Sequence, residues 1–184
     1  ATIRRQRQMC IRDRDMIPDC LNPYSVSKVA AENLCKMYSD LFDMNIVNLR
    51  YFNVYGDRQP LVGQYAPVVG LFLEQWKRGE AFTIVGDGEQ RRDFTHVDDV
   101  VRANIAAAER ASDITGETIN VGTGTNHSVN QIADMICNSY TKNFIPPRPA
   151  EARVTLADIS KAKKLLGYLP SCLLYTSPSP RDIG

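Results

Sequence analysis

Apolar residues recur at helical spacing between Ser25 and Met44, at Val26, Val29, Ala30, Leu34, Met37, Tyr38 and Leu41, and this period close to 3.6 predicts one long helix. The Asn22-Pro23 turn signal precedes it and Asn45 ends it. The next apolar run, Ile46 to Phe52, is short and rich in β-formers, so it predicts a buried strand leading into a loop at Tyr55-Gly56-Asp57. A second helical pattern covers Pro67 to Arg78, followed by a strand from Phe82 to Val85, the turn Gly86-Asp87-Gly88 and an extended Phe94 to His96. Val97 to Ala111 reads as a helix with Asp98 and Asp99 in its first turn, where the helix dipole favours acids. A strand at Thr118 to Val121, a helix at Val129 to Tyr140, a short strand at Arg153 to Leu156 and a helix at Ile159 to Leu166 complete the series.

Strands alternating with helices predict an α/β fold: a parallel sheet covered on both faces, with irregular inserts near the carboxyl ends of its strands, where ligands of such sheets bind. The alternation begins in the middle of a unit, because no strand and glycine-rich turn precede Tyr24.

Periodicity is absent at both ends, from Arg4 to Arg14 and from Cys172 to Asp182. The two stretches are related as nucleotides. Cys172 to Ser177 written as TGT CTC TTA TAC ACA TCT has the reverse complement AGATGTGTATAAGAGACA, which one frame over encodes Met9-Cys10-Ile11-Arg12-Asp13. This repeat resembles a transposon-end adapter of sequencing libraries, so residues 1–14 and 171–184 are read as non-native flanks and kept out of the fold.

Composition narrows the function. With 184 residues, 43% hydrophobic and 23% charged, the chain has room for one or two cores. Its net charge of +1 provides no field for nucleic acid, so an anionic ligand must be held by individually placed arginines. No apolar run reaches the roughly 20 residues of a membrane span. The five cysteines lack CxxC spacing and the two histidines lack metal-ligand company, so a reducing cytoplasm and no metal are expected.

Tyr24 and Lys28 stand one helical turn apart on one face. A free phenol titrates near pH 10, so a tyrosine base near neutrality needs about 4 kcal/mol of stabilisation. An ammonium at about 4 Å supplies that much where the effective dielectric is near 20. By spacing alone the pair is equally an exposed helical pair, and Arg92 and Arg148 taken singly read as ordinary surface arginines rather than as ligands.

Longer blocks add to this. Asn22-Pro23-Tyr24-x-x-x-Lys28-x-x-Ala31-Glu32, then Leu49-Arg50-Tyr51-Phe52-Asn53-Val54-Tyr55-Gly56, then Gly86-Asp87-Gly88-Glu89-Gln90-x-Arg92-Asp93-Phe94-x-x-Val97-Asp98-Asp99 closely resembles the NAD-dependent epimerase/dehydratase family of extended short-chain dehydrogenases, across Asp15 to Pro170. The resemblance implies the C-terminal half of a Rossmann-type parallel sheet (residues 15–58 and 93–124) and a small α/β nucleotide-sugar-binding domain (residues 59–92 and 125–170). It implies NAD as cofactor, a UDP-sugar substrate and a homodimer built partly on the helix after Tyr24. Tyr24 becomes the acid/base toward the sugar hydroxyl and Lys28 the holder of the nicotinamide ribose, with Phe52 against the cofactor. Asn53 would bind the sugar or phosphate, Thr83 and Val85 would flank the base, Arg92 and Arg148 would clamp the diphosphate, and Glu151 would meet the ribose. Thr155, seven residues after Arg148, would line the pocket around the sugar C2 substituent, and its small side chain leaves room for an acetamido group. The sequence departs from the family's pattern at Ala150, where glycine is usual, and at Asp57, where proline is common.

The implied reaction is 4-epimerisation of UDP-glucose or UDP-N-acetylglucosamine through a 4-keto sugar. The alternatives are a nucleotide-sugar 4,6-dehydratase, a UDP-glucuronate decarboxylase, or a chain that is inert as it stands, exposing an unpaired sheet edge and apolar surface. Gly122-Thr123-Gly124 lacks the third glycine of a dinucleotide cradle and reads as a turn, His96 as a core histidine with one hydrogen bond, and Ser128 as a helix cap beside His127.

Overall fold

The computed structural model describes residues 11–12, 23–61, 66–148 and 151–171. Most of both expected flanks therefore lies outside the described residues. The exceptions are β1 (Ile11–Arg12) and Ser171, whose backbone N–H donates to Asp99 at 3.0 Å.

The helix expected from the first apolar stripe is α1 (Pro23–Phe42), which starts on a proline, a residue suited to the first helical turn. Its apolar stripe points away from the protein. No residue of α1 is buried, and Val26, Leu34, Met37, Tyr38 and Leu41 are exposed. The half-buried positions are Ser25, Val29, Glu32, Cys35 and Ser39, a narrower face at the same helical period. Polar contacts hold that face. Arg50 on β2 (Asn48–Tyr51) donates to both carboxylate oxygens of Glu32, at 2.7 and 2.5 Å, and the Ser39 hydroxyl lies 3.2 Å from that of Thr115.

β2 runs parallel to β7 (Thr118–Val121) in the register Leu49 opposite Ile119. β3 (Val54–Tyr55) pairs in parallel with β6 (Thr95–His96), and β4 (Phe82–Val85) with β9 (Lys142–Ile145). β5 (Arg91–Arg92) and β8 (His127–Ser128) are antiparallel, and β1 pairs with β10 (Leu156–Ala157). Among the described residues each strand thus has one strand partner, β5 having in addition a single bridge to Val154, and the second edge of β2 is unpaired.

α2 (Val68–Lys77), α3 (Val97–Glu109), α4 (Val129–Ile136) and α5 (Ser160–Leu166) begin within a residue of their expected starts. α4 ends four residues early. The chain then turns through Ser139 at φ 62° into β9, a strand that the sequence did not reveal because its four residues follow directly on a helical pattern. The expected strand at Arg153 to Leu156 is displaced: only Val154 bridges to Arg91, and the paired strand is β10.

Two cores result. One joins α2, α4 and β4, with Phe72 stacked on Phe82 at 4.8 Å and Ile84, Ile132 and Ile136 packed around them. The other joins α3, β7 and α5 through Val100, Ala103, Ile119, Val121, Ala162 and Leu166. The cores divide the chain differently from the expected split: Tyr55 and Phe94, within the stretches assigned to the Rossmann domain, pack in the first core. Ala157, Ile159, Ala162, Leu166 and Tyr168 pack on the sheet core with Ile119 and Val121, although they lie within the 125–170 stretch assigned to the sugar domain. A short strand and an amphipathic helix fit either domain by pattern, and only their partner decides.

Candidate active site

Tyr24 and Lys28 occupy the first turns of α1. The Lys28 ammonium sits over the Tyr24 ring, 5.3 Å from its centroid, a cation–π arrangement. Tyr24 is 67% exposed, so its phenol is open to a ligand. The Ser27 hydroxyl donates to the Tyr24 carbonyl at 2.7 Å, and the Arg50–Glu32 ion pair ties the helix two turns further on to β2. Phe52 and Asn53 follow at the carboxyl end of β2, where α/β sheets bind ligands. Phe52 donates its N–H to Val121 at 3.1 Å and packs half-buried on the sheet core, whereas Asn53 is exposed and its carbonyl accepts from Thr95 at 3.2 Å.

A second group forms around β5. Arg92 donates to Glu151 at 2.9 Å and to its neighbour's carbonyl, that of Arg91, also at 2.9 Å. Its side chain is only 12% exposed. The acid expected at a ribose therefore pairs with the arginine expected at a diphosphate. Thr155 is brought to the same place by its N–H, which donates to the Arg91 carbonyl at 2.9 Å. Its hydroxyl oxygen is buried without a hydrogen-bond partner, a polar atom that a ligand could satisfy. Arg148 is exposed at the end of β9. Thr83 and Val85 alternate with buried Phe82 and Ile84, so they lie on the face of β4 away from the core. Thr83 is engaged there by Gln75, whose amide nitrogen donates to its hydroxyl at 2.8 Å. Among the described residues no hydrogen bond or ion pair joins Tyr24 or Lys28 to the group around Arg92.

The turn Gly122-Thr123-Gly124 does surround an anion, but the anion belongs to the chain itself. The fully buried carboxylate of Asp93 accepts from the N–H groups of Thr123 and Gly124 at 2.8 and 3.0 Å, from the Thr123 hydroxyl at 2.7 Å and from the Ala157 N–H at 3.1 Å. A Cβ on Gly122 would lie 2.4 Å from that of Ala157 and 2.9 Å from Asp93 Oδ2, so only glycine fits. The N–H groups of Thr123 and Gly124 are thus turned inward on Asp93. His96 caps α3, its Nδ1 accepting from the Asp98 N–H at 3.2 Å, with its ring edge-on to Tyr55. Ser128 and Gln131 close a reciprocal capping box on α4. Burial first, and Arg91 second, hold His127 below its ordinary range. The described residues contain no group of three residues able to hold a metal.

Sequence reasoning missed several partners that shape the site. Asn126 accepts from Arg91 and donates to the Thr155 carbonyl, and Arg153 grips Asp87 with two bonds of 2.7 Å. An isolated asparagine or arginine in a loop carries no periodic signal. The alternation of β5 and β8 would have located them only with the pairing in hand.

Parallel strands backed by helices, with a tyrosine and lysine one turn apart at the helix start beside the carboxyl end of β2, define an α/β protein of the short-chain dehydrogenase type. The chain belongs to the NAD dependent epimerase/dehydratase family, whose model matches residues 11–122. NAD is the cofactor of that family. The chain is 35% identical over 164 residues to the UDP-glucose 4-epimerase of Mycolicibacterium smegmatis, which covers 87% of this chain and 51% of that protein. It is 37% identical over 113 residues to a UDP-N-acetyl-alpha-D-glucosaminuronate decarboxylase of Bacillus cytotoxicus, covering 61% of this chain and 34% of the relative. Among solved structures, the UDP-glucuronic acid 4-epimerase of Bacillus cereus, in complex with UDP-glucuronic acid and NAD, superposes with a TM-score of 0.83 at 37% identity, over 94% of this chain and 56% of that one. The chain spans about half the length of the relatives it matches.

Proposed function

We propose that this chain carries the acid/base residue and the nucleotide-sugar contacts of an NAD-dependent UDP-sugar 4-epimerase of the UDP-glucose and UDP-N-acetylglucosamine type. The observation that carries the reading is the exposed phenol of Tyr24 beneath the Lys28 ammonium, on a helix fixed to the carboxyl end of β2. In this reading Tyr24 Oη takes the proton of the sugar C4 hydroxyl and later returns one, while Lys28 stabilises the phenolate and donates to the nicotinamide ribose. Reversible hydride acceptance from C4 is the chemistry that NAD would supply when bound there. The exposed ammonium and ring fit the nicotinamide end of that cofactor; the glycine turn Gly122 to Gly124 after β7 is filled by Asp93.

Arg92 and Arg148 hold the two phosphates, and Glu151 passes from Arg92 to the ribose when they do. Asn53 contacts the sugar or phosphate, and Thr83 and Val85 flank the base. Thr155, small and with an unsatisfied hydroxyl, leaves space for an acetamido group. The outward apolar stripe of α1 suits a homodimer in the full-length protein. No helix among the described residues is long and apolar enough to cross a membrane, and a cytoplasmic enzyme fits the cysteine usage.

A decarboxylase is the second reading, favoured by the Bacillus cytotoxicus relative, since it shares the ketone-forming step. Full-length protein with Tyr24→Phe, assayed on UDP-glucose and UDP-N-acetylglucosamine, tests the first. Loss of about a thousandfold in kcat with unchanged UDP affinity is expected. A loss under tenfold sinks the role of Tyr24, and carbon dioxide release from a UDP-uronic acid by the unaltered protein selects the decarboxylase.

A further inference from the structure

Two chain segments carry the residues placed around the diphosphate, and they run side by side. The first contains the turn Gly86-Asp87-Gly88 and β5 with Arg92, and the second contains Glu151 and Thr155. Their backbones meet at Arg91, whose N–H donates to the Arg153 carbonyl and whose carbonyl accepts from the Thr155 N–H, both at 2.9 Å. Two ion pairs also cross between them, Arg92 with Glu151 at 2.9 Å and Arg153 with Asp87.

The pairs are not equivalent. Arg92 and Glu151 are the groups that a bound nucleotide would draw apart. Arg153 and Asp87 meet as a bidentate fork, with both bonds at 2.7 Å, an arrangement that fixes orientation as well as distance. The acceptor is itself held in place. The Glu89 N–H donates to Asp87 Oδ1 at 2.9 Å, and the Asn130 amide donates to the Asp87 carbonyl at 3.0 Å. Gly88, at φ 75°, lets the turn lie so close to Asn130 that a Cβ there would fall 2.4 Å from the amide oxygen.

We infer that Asp87 and Arg153 form a positioning clasp for the diphosphate site: they hold the segment bearing Glu151 and Thr155 against Arg92 once the nucleotide has taken over the Arg92–Glu151 contact. The inference rests on the reading of Arg92 as a diphosphate ligand. Both arms of the Arg153 guanidinium are engaged by Asp87 and its carbonyl by Arg91, so its part in the site runs through the segment it anchors. The fork, with the Glu89 amide, keeps the Asp87 carboxyl down at about 2, so the clasp stays charged throughout the range in which a nucleotide diphosphate is bound.

The test is binding of UDP and of uridine to the full chain by titration calorimetry, for the unaltered protein, Asp87→Ala, Arg153→Ala and the exchanged pair Asp87→Arg/Arg153→Asp. The unaltered chain is expected to prefer UDP over uridine. Each single variant should lose about threefold to fivefold of that preference while uridine affinity holds, and the exchanged pair should regain most of it. Circular dichroism melting identifies any variant that fails to fold, and the exchanged pair then decides. A preference unchanged in both single variants overturns the clasp, as does a parallel fall in uridine binding, which marks a merely structural pair. An unaltered chain that binds UDP no better than uridine overturns instead the reading of Arg92 on which the clasp depends.

Discussion

Arg50 and Glu32 join strand to helix through two hydrogen bonds of 2.7 and 2.5 Å, with both side chains about four-fifths buried. This pair takes the place that apolar packing usually holds between a helix and its sheet, because α1 buries no residue of its own. Removing one partner leaves the other charge partly buried, so Glu32→Ala should cost about 2 kcal/mol, read as a lowered urea midpoint. A midpoint within error of the unaltered chain would mean that α1 is held by something else.

Asp93→Asn should be more damaging than its size suggests. Three backbone N–H groups and one hydroxyl converge on the carboxylate, and an amide can answer only some of them while turning its own N–H toward donors. About 2 to 4 kcal/mol of stability should be lost, measured by chemical unfolding. A neutral result would show that the four bonds are dispensable.

His127 makes stability pH-dependent in a defined direction. Its folded-state titration lies below the ordinary 6.5 through burial and Arg91, opposed by Asp93, so the unfolded chain binds the proton more readily. Its contribution is complete above pH 6.5 and is lost as pH falls through the lower folded value. His127→Gln should therefore lose about 1–2 °C less in Tm than the unaltered chain between pH 7.5 and 5.5. Equal losses would remove His127 from the account.

Thr155→Tyr, in the full-length protein, should depress turnover of UDP-N-acetylglucosamine about tenfold or more relative to UDP-glucose, because the larger ring fills the space proposed for the acetamido group. An unchanged ratio of kcat/KM values would place the C2 pocket elsewhere. Failure of the unaltered enzyme to turn over UDP-N-acetylglucosamine while using UDP-glucose would defeat the tolerance of N-acetylated sugars itself.

Much of the helical layout was legible in the chain. Amphipathic periods set the starts of α2 to α5, and Ser128 announced a cap. Orientation was not legible. The stripe Val26, Leu34, Met37, Tyr38 and Leu41 marks an apolar face without saying whether that face meets this chain or something beyond it, and here it faces outward. β9 was hidden because a four-residue strand makes too short a period to detect after a helix. Tyr24 and Lys28 could be paired from their spacing, since one helical turn fixes the separation. The Arg92–Glu151 and Arg153–Asp87 pairs could not, since 59 and 66 residues separate the partners and only the crossing of β5 with the 151–155 segment brings them together.

The carboxylate of Asp93 also bears on how the molecule comes apart. It follows β5 and immediately precedes Phe94 of the first core, yet it is bonded to the turn after β7 and to β10, both seated on the second. Melting of the second core removes all four of its hydrogen bonds while the neighbouring Phe94 is still packed in the first. The two halves should therefore share a single cooperative transition, with one side chain acting as the rivet between them.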